Sequence, residues 1–394
     1  MNFPYDRQPL DKKQARVKGR DVLRPMINLN DYRFEAVLDW IKIRVSFTRT
    51  TQVQHVQKAL RKYLNRDSWI VGLDMGSGET FSECVITIQE PKNFALVQQI
   101  ADDLAAKFGE ASPACVVGLE VSVDAYPKMP SEAARVALLR EMLRTAKPNF
   151  DFWTDPNAHP RTITAGKSVD GVRGKATVSH INPTLRRAGN FTGEFSHDVY
   201  IGGWGSLSVD GTSYFGPKDG DLMVRLMHKI IDTQNHKSGT WCDLPEEEKR
   251  VRIEVTLNEA ELNRRGFSTI QSLKDFKPTV LQKEVFKFWL PTFPKPVPEE
   301  KKTENRKAIE KWQGKRLGRE QVFQSAGMVG LGAMDQALAA SKKMIVQGIP
   351  VGMRNAKMQA RVGDTHVAWD ELNGCMNEAL RNLGKRMGTA WGKL

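Results

Sequence analysis

VYIGG (199–203), SLSVDGTSYFG (206–216), DLMVRLMHK (221–229) and VRIEVTL (251–257) follow one another as β-rich runs, and their reading decides the fold. The Asp210-Gly211 pair between two of these runs is a two-residue hairpin signal. In a strand over 251–257, alternation sets Ile253, Val255 and Leu257 on one face and Arg252, Glu254 and Thr256 on the other. The same alternation in 223–229 groups Arg225, Met227 and Lys229 opposite Val224, Leu226 and His228. A strand carrying a carboxylate and a strand carrying two cations, in one sheet, can hold a metal ion and a phosphate. An ordinary amphipathic sheet with a solvated polar face gives the same pattern.

The chain has 394 residues, 40% of them hydrophobic, enough to bury a large core across two or three domains. MNFPYDRQPLDKK at the N-terminus lacks an apolar segment, so no signal peptide is expected. No apolar run approaches the roughly 20 residues of a membrane span. A cytoplasmic protein without a membrane partner is expected. Cys84, Cys115, Cys242 and Cys375 are scattered with no CxxC pair, and read as reduced core residues. The net charge of +13 favours a polyanionic partner, nucleic acid first. That charge is uneven: residues 301–394 hold 17 Lys+Arg against 8 Asp+Glu, and residues 1–30 hold 7 against 3.

Residues 1–30 read as a flexible basic arm. VLDWIKIRVSF (37–47) then reads as a strand with Ile41, Ile43, Val45 and Phe47 on one face and Lys42, Arg44 and Ser46 on the other. Asp39 falls on the apolar side, where a lone charge is costly, so it must be ion-paired, hydrogen-bonded or metal-bound. A helix over 52–64, a strand near 69–73, a strand at 83–89, a helix at 94–108 stopped by Gly109 and a strand at 115–124 complete a β-α-β-β-α-β order. That is the split βαβ, ferredoxin-like unit. In 115–124, Glu120 and Asp124 share a face but stand about 13 Å apart along the strand, too far to ligate one ion together without a bend. Glu120 sits mid-strand as Glu254 does, as if the two strands were counterparts in two related halves.

A helix capped by Ser131 follows at 131–146. The stretch 147–195 reads as a surface insertion whose Phe150, Phe152 and Trp153 pack in a core or stack on bases. TAGKS (164–168) is no phosphate loop, because the required first glycine is Arg161. Residues 258–276 read as helical and 291–304 as a Pro-rich linker. A basic helix is expected at 305–319, with further helical stretches to 394; Lys311, Lys315 and Arg316 are its candidate DNA contacts. The fold class is α+β: a doubled ferredoxin-like, palm-type antiparallel sheet with helices, in halves of about 31–146 and 147–290, plus a basic helical C-terminal region.

LDWIKIRVSF, GLEVSVD, TSYFGPKDGDLMVRLMHK and VRIEVTL, in this order, resemble the replication initiation factor family: trans-acting Rep proteins of rolling-circle plasmids, with filamentous-phage and mobile-element relaxase relatives. The resemblance spans roughly residues 35–260. It implies a metal-dependent nickase whose tyrosine attacks a DNA phosphodiester and stays attached. It implies Mg²⁺ or Mn²⁺ on Asp39, Glu120 and Glu254 with Asp124 nearby, and Arg225 and Lys229 as the basic positions around the nucleophile. DNA would be single-stranded or hairpin origin DNA, with Lys42, Arg44 and Arg252 as further DNA contacts. A homodimer and a host helicase or polymerase are the other partners it suggests.

One position departs from the family pattern. Where tyrosine precedes the lysine in the family, this chain reads Arg225-Leu226-Met227-His228-Lys229. Methionine cannot form a phosphotyrosyl link. Tyr214 and Tyr200 are the substitutes within the central sheet, Tyr214 being the candidate nucleophile. Nickases with two histidines flanking one apolar residue are excluded, since none of the seven histidines forms that pair. Three readings follow: a nicking initiator, a non-catalytic origin- or single-strand-binding protein on the same scaffold, and a palm-type RNA-binding protein. The third is disfavoured because the strands lack interleaved exposed aromatics.

Overall fold

The computed structural model describes residues 5–10, 19–147, 162–167, 173–178, 212–215, 220–235, 240–294, 300, 304, 323, 331 and 366–388. Its centre is a seven-stranded antiparallel sheet. The N-terminal part supplies β3 (Tyr32–Thr51), α1 (Val53–Leu60), β4 (Trp69–Gly72), β5 (Phe81–Gln89), α2 (Phe94–Phe108), β6 (Ser112–Pro127) and α3 (Glu132–Thr145). They are preceded by β1 (Tyr5–Pro9) and β2 (Arg20–Pro25). After α3 come β7 (Thr162–Lys167), β8 (Arg173–Val178), β9 (Thr212–Phe215), β10 (Leu222–Lys229), β11 (Ile231–Asn235), β12 (Thr240–Asp243) and β13 (Arg250–Asn258). The chain continues through α4 (Glu259–Arg264), α5 (Thr279–Glu284), β14 (Trp289–Pro294), β15 (His366–Ala368) and α6 (Asp370–Gly388).

The sheet order is β4-β5-β3-β6-β13-β10-β9. Its first four strands have the split βαβ arrangement, with β5 and β3 inside and β4 and β6 flanking them. The second region extends that sheet through β13, β10 and β9, so one continuous core serves both. Ile41, Ile43, Ile86, Ile88, Leu119, Val121, Val123, Ile253, Val255 and Leu226 are buried in one cluster with apolar residues of α2, α3 and α6. The local causes are those expected: Asn93 caps α2 through Leu96 N–H, Gly109 ends it at φ 76°, and Ser131 caps α3 through Ala134 N–H.

Several expectations are corrected. The region read as a flexible arm contributes β1 and β2, in which Arg20, Asp21, Val22 and Leu23 are buried. These strands join β14 and β15 in a four-stranded sheet, so β14 runs into the segment read as a linker. The helix expected over 258–276 ends at Arg264, because Gly266 takes φ 80° and only a 3₁₀ turn follows at Gln271–Asp275. Of the cysteines, Cys84 is buried and Cys242 is exposed. The helix expected at 305–319 and the aromatics of 147–195 lie outside the described residues.

Strand β3 also departs from its expected alternation. Buried positions run Ala36, Leu38, then Ile41, Ile43, Val45, a step of three where two would continue the pattern. The register against β6 shifts between Leu38 and Trp40. This β-bulge carries Asp39 off the apolar side and onto the polar face of the sheet.

Candidate metal centre

The polar face is built from cross-strand rows. One row runs Tyr214–Arg225–Glu254–Ser122 across β9, β10, β13 and β6. A second runs Met223–Thr256–Glu120–Trp40, and a third Met227–Arg252–Asp124–Glu35. Residues directly opposite in such rows share a face. Carboxylates of three adjacent strands thereby converge, with ligand atoms of Asp39, Glu120 and Glu254 all within 4.8 Å of one another. Glu120 and Glu254 are buried and Asp39 is nearly so.

Each carboxylate is held by a donor. Glu120 accepts from Trp40 Nε1 at 2.9 Å and Arg225 Nη2 at 2.8 Å, and from Thr256 Oγ1. Glu254 lies against Arg225 Nε. Asp39 accepts from Ser122 Oγ and, at 2.9 Å, from Arg252 Nη1. Asp124 stands outside the triad, as its separation from Glu120 requires. It accepts two bonds from Arg252, at 2.6 and 2.7 Å, and pairs with Arg250 at 3.1 Å. Four carboxylates thus meet three guanidiniums in and around the cluster. Burial, then the neighbouring Glu120, pushes the Glu254 carboxyl up to about 8. Burial likewise raises Asp39, against the pull of Arg252.

The excess of acid over base and the raised Glu254 both fit a divalent cation, which relieves carboxylate repulsion as no further neutral residue can. Oxygens around Mg²⁺ at about 2.1 Å lie up to about 4.2 Å apart, so the triad needs only a small inward movement. Among the described residues this is the one group of three or more acidic, histidine or cysteine side chains with that spacing.

The other residues singled out from sequence are placed as follows. Arg225 bridges Glu120 and Glu254 and retains 27% side-chain exposure. Lys229 lies four residues further along β10, near Asp232 at 3.4 Å, and is not brought to the triad. Arg252, expected on DNA, is buried between Asp124 and Asp39, because buried carboxylates take the nearest cation. Arg44 pairs with Glu259 at 2.8 Å and Glu83 at 3.6 Å. Lys42 lies on the polar face with its Nζ 4.7 Å from the Trp40 ring centre. Tyr214 stands opposite Arg225 in the hairpin register. Lys311, Lys315 and Arg316 lie outside the described residues. Sequence reasoning missed Trp40, Ser122 and Thr256; the three-residue step from Leu38 to Ile41 was the available signal for Trp40.

No family model and no curated protein matches the chain. Among solved structures it is similar to a rolling circle replication initiator protein from Geobacillus stearothermophilus, at 13% identity and a TM-score of 0.27, over 70% of this chain and 91% of that one. No helix among the described residues is long and apolar enough to cross a membrane.

Proposed function

We propose that this chain is a DNA-binding replication initiation protein that nicks origin DNA to start rolling-circle replication or mobilisation, in the cytoplasm. The observation carrying the reading is the convergence of Asp39, Glu120 and Glu254 from three adjacent strands, beside Arg225. Those three carboxylates would hold Mg²⁺ or Mn²⁺, which when bound stabilises negative charge on the oxygens of the cut phosphate. Arg225 supplies a guanidinium at the same place, whose positive charge would stabilise charge developing on the phosphate oxygens. Arg252 and Ser122 keep Asp39 aimed inward, and Trp40 and Thr256 do so for Glu120.

The nucleophile is assigned to Tyr214, whose register position continues the row Arg225–Glu254–Ser122. Its hydroxyl oxygen would bond to phosphorus as the 3′-oxygen leaves, giving a 5′-phosphotyrosyl link and a free 3′-hydroxyl. Wild type and Tyr214→Phe are mixed with labelled element DNA and Mn²⁺ and run on a denaturing gel. A shifted covalent band for wild type alone supports the assignment; its persistence in the variant removes Tyr214.

A second reading keeps the scaffold and drops cleavage. Met227, opposite Thr212 and Arg252, occupies the place of the family tyrosine, and the carboxylates are already held by arginines. No covalent band and no metal-dependent relaxation of a supercoiled plasmid carrying the element's DNA would select this binding-only reading.

A further inference from the structure

The polar face does not end at the carboxylates. On β3, Trp40 pairs with Glu120 of β6 and with Gln89 of β5; two residues on, Lys42 pairs with Gly118 and Thr87. Thr87 in turn pairs with Trp69 of the edge strand β4. Directly opposed residues share a face, so Trp40, Lys42, Thr87 and Trp69 lie on the side that bears the triad. Trp69 is 58% exposed, and Val71, two residues along the same face, is 42% exposed. Large exposed apolar side chains aligned on one face mark an interaction surface.

Around Trp40 the surface is shaped for an aromatic plane. A Cβ added to Gly118 would come within 3.1 Å of the indole, so glycine there lets the ring lie down on the sheet. Lys42 Nζ lies 4.7 Å from the ring centre, and Lys42 has no carboxylate partner among the described residues. Trp69 stands two strands and two residues from Trp40, about 12 Å away by sheet geometry. That is about the span of two nucleotides in an extended strand.

We propose that Trp40, Lys42 and Trp69 form a track for single-stranded DNA leading across β3, β5 and β4 to the carboxylate cluster. Trp69 stacks on a base, Trp40 forms the inner step and Lys42 pairs with the phosphate between them. The inference rests on the reading of the chain as a DNA-binding initiator. A single strand fits better than a duplex or a protein. Isolated aromatic planes about two nucleotides apart, with a cation between, suit unstacked bases, and the chain's +13 charge complements a polyanion.

The test is fluorescence anisotropy of a labelled 12-mer oligothymidylate in EDTA, where cleavage cannot contribute. Trp69→Ala is expected to weaken binding about 5- to 100-fold, and Trp69→Phe to retain most of it, because a ring suffices for stacking. Lys42→Gln is expected to lower the salt slope by about 0.7, the value for one single-strand phosphate contact. Duplex affinity of Trp69→Ala should stay near wild type. Unchanged oligothymidylate affinity in Trp69→Ala overturns the track. So does a Trp69→Ala variant that loses self-association in sedimentation while binding DNA normally, which would make β4 a protein interface. Tryptophan-dependent binding by a chain that cuts nothing upholds the track and removes only the nicking reading.

Discussion

Whether Asp39 and Glu254 hold a metal ion, as proposed, is tested by substitutions that keep shape. Asp39→Asn and Glu254→Gln keep shape and remove charge, so calorimetric titration with Mg²⁺ or Mn²⁺ should show affinity falling at least about tenfold with the fold intact. Wild-type affinity in both variants would reassign the pair to ion-pairing alone. A different titration is built into the opposite face. His228 points at α3, where its Nε2 accepts from Arg135 Nε at 2.9 Å, with Glu246 and Lys249 as the other charges around it. Burial, then Arg135, holds its pKa down to about 3, below the ordinary 6.5. The folded state therefore binds fewer protons than the unfolded chain between these values. His228 contributes stability in full above pH 6.5, and the contribution is lost as pH falls from 6.5 toward 3. The slope is at most about 1.4 kcal/mol per pH unit. Urea midpoints of wild type should drop more between pH 7 and 5 than those of His228→Gln; equal drops would sink the assignment.

At the level of elements, strand β3 and its bulge decide what the site contains. Period-two reading assigned Asp39 to the apolar side, and the consequence, a charge needing a partner, was sound although the face was wrong. Helices α2 and α3 and the order of β3 to β6 were legible because their caps and periodicities are local. Arg252 was not: VRIEVTL reads as exposing it, and only the distant Asp124 and Asp39 reveal why it is buried. The acidic triad itself was named on resemblance, its members Asp39, Glu120 and Glu254 lying on three strands far apart in sequence and brought together by pairing that no local pattern encodes. Gly118 tests how far the bulge matters. Gly118→Val would push the Trp40 indole off the sheet and break its 2.9 Å bond to Glu120. Metal affinity should fall several-fold and the tryptophan emission should shift, with the circular dichroism unchanged. An unaltered metal affinity would show that Trp40 does not position Glu120.

For the whole molecule, the basic ends invite the view that they are detachable DNA-binding tails, and the packing forbids it. In α6, Leu372, Met376, Ala379, Leu380, Leu383 and Met387 are buried in the main core, and Arg386 donates to the Ala36 carbonyl of β3. Five of these are large apolar side chains, worth about 2 kcal/mol each, against a total stability on the order of 10 kcal/mol. The N-terminus is tied in as well. Buried Arg144 of α3 donates to Tyr5 Oη at 2.8 Å, and its guanidinium faces the Phe323 ring at 4.6 Å. The helix expected in the tail is present as α6, but its basic composition does not reveal that its apolar face packs into the main core. Deleting 301–394 should therefore abolish cooperative unfolding rather than report on DNA binding. Charge must be removed without the core: Lys311→Gln, Lys315→Gln and Arg316→Gln together should leave the thermal transition in place. If these residues contact duplex phosphates, the slope of log affinity against log salt should flatten by up to about 2.7, at about 0.9 per contact. A triple variant with the wild-type slope would mean that the basic segment acts on something other than DNA, and that the phosphate contacts lie on the sheet.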